Sequence, residues 1–462
     1  MKKHNTLKIV LITTGILFLC TWIFKAAYLQ NNAYAAAERM QMGVFDLFNY
    51  QITAVQYFGY IALFVLVVGA FYGVLYATDA YGRMLDHLAS KFKGKEKIAL
   101  VVIMVILAIL VSLVGMQLPL IIFLPFLISL ILILGFDKIT AVLSTVGAMM
   151  IGIAGSTFAY TNTAILNQAL ELNNTNAIVV KIIILVLGLA LLAFNTIMHI
   201  SKSDAKKAEL KADMEEYTPN AKGKKSFIPL IVIFSVIFVI MVLSLISWNG
   251  AFSLDIFDKA TTAVTEFKLF GFPIFAKILG TFNAFGNWTV MELGILLVIA
   301  SLVIKFIYKI KFDDYLDALA RGAKKALLPA LLVILIYAIL VIVTYHPFQL
   351  AIYDALLGSK FNLAASGICA IISSIINVDP AYVFQTTVPV IAAQKGVDKS
   401  LVYVMFQSIY GVIMLVAPTS LILMGTLAYL DIPYGKWFKN VWKLILELLV
   451  VLFIIFIILK LI

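Results

Sequence analysis

A chain of 462 residues that is 63% hydrophobic and 13% charged is not a soluble protein, since ordinary globular chains are about 45–50% apolar and about 25% charged. The mean hydropathy of +1.05 excludes a disordered chain, and the two cysteines, Cys20 and Cys369, each inside an apolar run, leave no disulfide framework or cysteine-type zinc site. The net charge of +11 does not signal nucleic acid: the lysines sit mostly in short loops, and only Arg39, Arg83 and Arg321 offer the planar fork of phosphate recognition.

A membrane span needs about 20 apolar residues. The first such run is 7–24. A cleaved signal peptide is the rival reading here, on Lys2-Lys3 and Ala33-Tyr34-Ala35, but the small residues lie about ten positions beyond the run. The second span is 54–76, followed by an interfacial amphipathic helix at 81–88. The stretch 98–135 is too long for one crossing and breaks at Gly115-Met116-Gln117-Leu118-Pro119, so a re-entrant hairpin is predicted. A long helix at 140–170 is interrupted by Gly155-Ser156-Thr157, and a further span covers 178–200. Residues 201–226, mixed in charge, form a solvated cytoplasmic linker. Spans at 227–247 and 289–310, an interfacial helix at 312–325 and a span at 326–345 follow. A second hairpin at 363–395 breaks at Asn377-Val378-Asp379-Pro380, a helix at 401–430 is interrupted by Ala417-Pro418-Thr419-Ser420, and 442–462 is the last span.

Positive charge sets the sides of the loops. With both hairpins returning to the side they leave, about 25 of the 35 basic residues fall in or beside cytoplasmic segments. The fold expected is an all-α polytopic membrane protein of about nine spans and two hairpins, with the N-terminus cytoplasmic and the C-terminus extracellular.

The two interrupted regions share a layout. Gly135-Phe136-Asp137-Lys138 precedes the first interrupted helix and Gly396-Val397-Asp398-Lys399 the second. One begins inside and the other outside, so residues 1–200 and 227–462 read as inverted repeats joined by the 201–226 linker. Hairpin plus broken helix, twice and inverted, is the architecture of a secondary transporter with its site at the midplane.

Segments 43–76, 130–157 and 403–437 resemble the YfcC-type and DcuC-type carriers of the ion transporter superfamily, which also holds the p-aminobenzoyl-glutamate transporters. The best matching pieces are Gly152-Ile153-Ala154-Gly155-Ser156-Thr157, Ala417-Pro418-Thr419-Ser420 and Pro433-Tyr434-Gly435-Lys436-Trp437. The resemblance implies a homodimeric elevator carrier with a scaffold and a moving domain, driven by a sodium or proton gradient, for small carboxylates or amino acids. The chain departs from the pattern at both tips: Gln117-Leu118 stand where the YfcC-type group carries an acidic pair, and the second tip lacks the usual Ser and Gly.

A broken helix offers free N–H groups at one half and free carbonyls at the other, which suit a carboxylate and a sodium ion respectively. Ser156, Thr157, Thr161 and Asn162 on the first side, and Thr419 and Ser420 on the second, are candidate ligands, with sodium at Gly155, Ser156, Pro418 and Thr419. At the tips, Gln117, Asn377 and Asp379 face cargo in this reading, and Gln385, Thr386, Thr387 and Gln407 add uncharged donors. Helix packing is the structural alternative for the hydroxyls, and an Asx-Pro turn for Asp379. An ionisable residue at a tip within the membrane is a functional candidate, as coupling-cation ligand, proton carrier or partner of a substrate amine.

The function expected is ion-coupled secondary transport of a small carboxylate or amino acid by alternating access across the cytoplasmic membrane of a bacterium, without a bound cofactor. A membrane enzyme or lipid-handling protein and a channel are the alternatives; no catalytic constellation is visible in the sequence.

Overall fold

The computed structural model describes residues 5–115, 117–173, 175–203, 217–219, 221, 224–280 and 282–461. Its first half contains α1 (Asn5–Ile23), strands β1 (Ala27–Gln30) and β2 (Ala33–Ala36), α2 (Asp46–Tyr76), α3 (Tyr81–Ser90), α4 (Glu96–Val114), α5 (Leu124–Ile133), α6 (Lys138–Ala154), α7 (Tyr160–Leu170) and α8 (Ile178–Ser203). The second half contains α9 (Ile228–Leu245), α10 (Trp248–Phe252), α11 (Ile256–Glu266), α12 (Ile274–Leu279), α13 (Val290–Ile307), α14 (Phe312–Lys325), α15 (Leu327–Tyr345), α16 (Phe348–Leu356), α17 (Leu363–Ile376), α18 (Pro380–Ala392), α19 (Lys399–Ile413), α20 (Leu421–Tyr429) and α21 (Tyr434–Leu461).

Among the described residues, eight helices, α1, α2, α4, α8, α9, α13, α15 and α21, are long and apolar enough to cross a membrane, which makes this a multi-pass membrane protein. Both interrupted helices break where the sequence places the breaks: α6 gives way to α7 across 155–159, and α19 to α20 across 414–420. Their starts are capped locally. Asp137 accepts a hydrogen bond from the Thr140 amide and Asp398 one from the Ser400 amide, each 2.8 Å.

The segment expected as a first hairpin, 98–135, is not a symmetrical pair of arms, since α4 is itself long and apolar enough to cross a membrane. Its first arm, α4, runs 19 residues, because nothing in its apolar run stops the helix before Gly115, which takes a left-handed φ of +76°. The return arm is a 3-10 turn over Pro119–Ile122 and the short α5, with Pro125 in its first turn. The β1–β2 hairpin, α10 to α12 and α16 were not legible as elements in the sequence.

Two groups of helices are evident. In one, α13, α14 and α15 pack on α2, and α1 packs on α15. The α2–α14 contact needs glycine, since a Cβ on Gly69 would lie 2.7 Å from the Gly322 carbonyl oxygen. In the other group, α4 and α8 flank α6, while α17 and α21 flank α19. The helices α6 and α19 cross so closely that a Cβ on Gly411 would strike the backbone of Ala154 and Met150. The short second halves separate: α7 packs on α18, whereas α20 packs on α15 and α1.

Candidate functional site

The two breaks and the second tip are held by bonds between elements. At the first break, the Ser112 hydroxyl on α4 donates to the Gly155 carbonyl at 2.8 Å, and the Ser112 carbonyl accepts from the Thr157 amide at 2.9 Å. Gln407 on α19 donates to the Ser156 carbonyl at 2.7 Å, tying one broken helix to the interruption of the other. At the second break, Thr419 donates to the Ile375 carbonyl of α17 at 2.8 Å. The Trp437 indole donates to the Leu415 carbonyl at 2.8 Å, and the Tyr434 hydroxyl donates to the Val416 carbonyl. The Pro433–Trp437 motif thus has a local task, the satisfaction of carbonyls that an interrupted helix leaves without partners. At the second tip, Asp379 caps α18 by accepting from the Ala381 amide at 2.8 Å, and Tyr410 donates to the Val378 carbonyl at 2.8 Å.

Between these interruptions lies a cavity of about 240 Å³, smaller than the roughly 300–1,000 Å³ typical of drug-sized ligands. Gln117 of the first tip, Asp379 of the second and Ser420 of the second break line it together, with Tyr337 of α15 and Tyr410 of α19. No lysine, arginine or histidine is among its described lining residues. Two helix N-termini end at it. Pro380 and Ala381 open α18, and Ser420 precedes Leu421 and Ile422 of α20, whose end no side chain caps.

The remaining candidates are not among its described lining residues. Ser156, Asn377 and Gln407 are buried, and each keeps one oxygen (Oγ, Oδ1 and Oε1) without a hydrogen-bond partner among the described residues. Thr157 and Thr419 are buried and engaged as above. On α18, Thr387 is buried, Thr386 donates to the Tyr382 carbonyl and Gln385 is exposed. Thr161 and Asn162 stand on α7, and their side chains lie outside the described residues. Lys181, which the sequence reading passed over, is fully buried with its ammonium 4.1 Å from the Tyr403 ring centre. The signal for it was present, as the only charged residue in the apolar run 178–200.

Span-length helices together with interrupted ones place this molecule among the helical multi-pass membrane proteins. Residues 8–461 match the model of the C4-dicarboxylate anaerobic carrier family, DcuC, and the chain belongs to that family of carriers. The comparison with curated proteins gives no match.

Proposed function

We propose that the protein carries a C4-dicarboxylate across the membrane by alternating access, coupled to sodium or protons. The observation that supports this most is the meeting of two helix N-termini, those of α18 and α20, at one small cavity without a basic side chain. The α20 end offers free amides, whereas the α18 end lacks its first amide at Pro380 and has its second taken by Asp379; both present the positive pole of a helix dipole, and two such poles suit the two carboxylates of one short diacid. The family description names the same cargo class. Ser156, Asn377 and Gln407 retain unpaired buried oxygens, the donor chemistry of a hard cation such as sodium. The mobile unit would comprise both hairpins and both interrupted helices, moving against the α2, α13, α14 and α15 group, with the halves of the chain as inverted repeats. The lysine distribution supports a cytoplasmic N-terminus, and the family resemblance a homodimer.

The test is uptake of labelled succinate and fumarate into proteoliposomes under imposed sodium or proton gradients. Accumulation under one of them is expected; none under either overturns the reading. A narrower version rests on Asp379, the only carboxylate among the cavity's described lining residues: a C4-dicarboxylate that also bears an amine, such as aspartate, would pair with it. Aspartate should then compete with succinate in the wild type and lose that advantage in Asp379→Asn.

A further inference from the structure

A second cavity, of about 370 Å³, lies between the two helix groups. On one side α2 lines it from Val65 to Ala77, about 18 Å at 1.5 Å per residue, along with α14 and α15; on the other stand α5 and α20. It meets the cargo cavity only at Leu421 and Ile422, which line both.

Its chemistry is the reverse of the cargo cavity's. The wall is mainly aliphatic, and the polar atom of Tyr72 is already used, donating to the Ile122 carbonyl at 2.8 Å and accepting from the Phe126 amide at 3.2 Å. No carboxylate lines it among the described residues, and its charged lining consists of two cations on α14, Arg321 and Lys325. Arg321 makes no ion pair or hydrogen bond among the described residues, and the Lys325 ammonium lies 5.2 Å from the Tyr76 ring centre. A long apolar slot ending in two cations is complementary to one acyl chain ending in a carboxylate, and its volume is far too small for a two-chain phospholipid.

We propose that this cleft binds a single-chain amphiphilic monocarboxylate, of the medium-chain fatty-acid class, with its carboxylate at Arg321 and Lys325 and its tail along α2 and α20. Given the carrier reading above, such a ligand spans the surface on which the mobile unit slides and would slow transport without competing with cargo. Binding itself does not depend on that reading.

The experiment uses the full chain in lipid nanodiscs, a decanoic acid carrying an aliphatic diazirine, light, and peptide mass spectrometry. Label is expected in segments 65–77 and 421–429, suppressed by excess decanoate but not by decanol or succinate. Arg321→Gln with Lys325→Gln should lower it by about tenfold, the loss of a charge-assisted contact. Gly425→Leu should remove it by filling the slot, since a Cβ there meets only Pro329, at 3.9 Å. Label spread equally over the lipid-facing α9 and α13, equal competition by decanol or succinate, or indifference to the double substitution would each overturn the proposal. In proteoliposomes that accumulate succinate, decanoate should reduce the maximal rate and leave the half-saturating concentration unchanged. These labelling readouts need no transport, so a failed uptake assay and a failed cleft are told apart.

Discussion

One carboxylate oxygen of Asp379 closes the first turn of α18, and the same residue lines the candidate cargo cavity. The two tasks make different demands. A cap needs only an oxygen acceptor, and Asn serves about as well as Asp, so Asp379→Asn should leave thermal stability within about 0.5 kcal/mol. A coupling or amine-pairing role needs the charge, and the same variant should then shift the ion dependence of uptake; an unaltered dependence would reduce Asp379 to its cap. Outside the apolar core, Lys399 at 2.8 Å holds the Glu171 carboxyl below its ordinary value and joins the end of α7 to the start of α19. A depressed carboxyl stabilises the fold above its unfolded pKa, and that contribution disappears as pH falls through the lower, folded one. Glu171→Gln should therefore flatten part of the acid limb of the melting temperature between about pH 5 and 3 while leaving the neutral plateau nearly unchanged, because the pair is exposed. Parallel acid limbs in the two proteins would remove the pair from the account.

Among the elements, the interruptions were the most legible, for a reason visible in Gly155-Ser156-Thr157 and Asn377-Val378-Asp379-Pro380. Glycine, proline and short hydroxylated or amide side chains each break a helix by a local mechanism that needs no knowledge of the fold. What holds a break open was not legible, since Ser112, Trp437 and Tyr434 act across the structure and each reads locally as an ordinary helix residue. The same applies to α10 to α12, whose phenylalanines and glycines carry no sustained period. The crossing of α6 with α19 gives a test by size. Gly411→Val must push two backbones apart and should cost about 1–3 kcal/mol or more, whereas Gly425→Ala meets only ordinary contact and should be neutral or gain up to about 1 kcal/mol. Melting curves of the two purified variants provide the comparison, and equal midpoints would show that the crossing yields more easily than its geometry implies.

At the scale of the molecule, the division into two helix groups followed only loosely from the sequence. Apolar runs identify spans, but which span faces which depends on close contacts such as Gly69 with α14 and on α20 choosing α15 where α7 chooses α18. That unequal choice is what a chain caught on one side of a transport cycle would display. Val333 on α15 and Ile422 on α20 line the same cleft from opposite groups. With Cys20 and Cys369 replaced, Val333→Cys and Ile422→Cys joined by a short bifunctional thiol reagent should bring uptake to background, and a reversible linker should restore it. Full uptake by verifiably linked protein would rule out sliding at this interface.

That no lysine or arginine is among the described residues lining the candidate cargo cavity has a consequence for control. If, as proposed, the pocket grips anions through helix ends, it offers no amine to acylate, and lysine acetylation or amine-directed reagents would have nothing to neutralise there. Amine-directed chemistry would instead reach lysines away from that lining, such as Lys325 of the outer cleft. Regulation by covalent charge removal would act on how the groups move and leave the affinity of the pocket itself untouched.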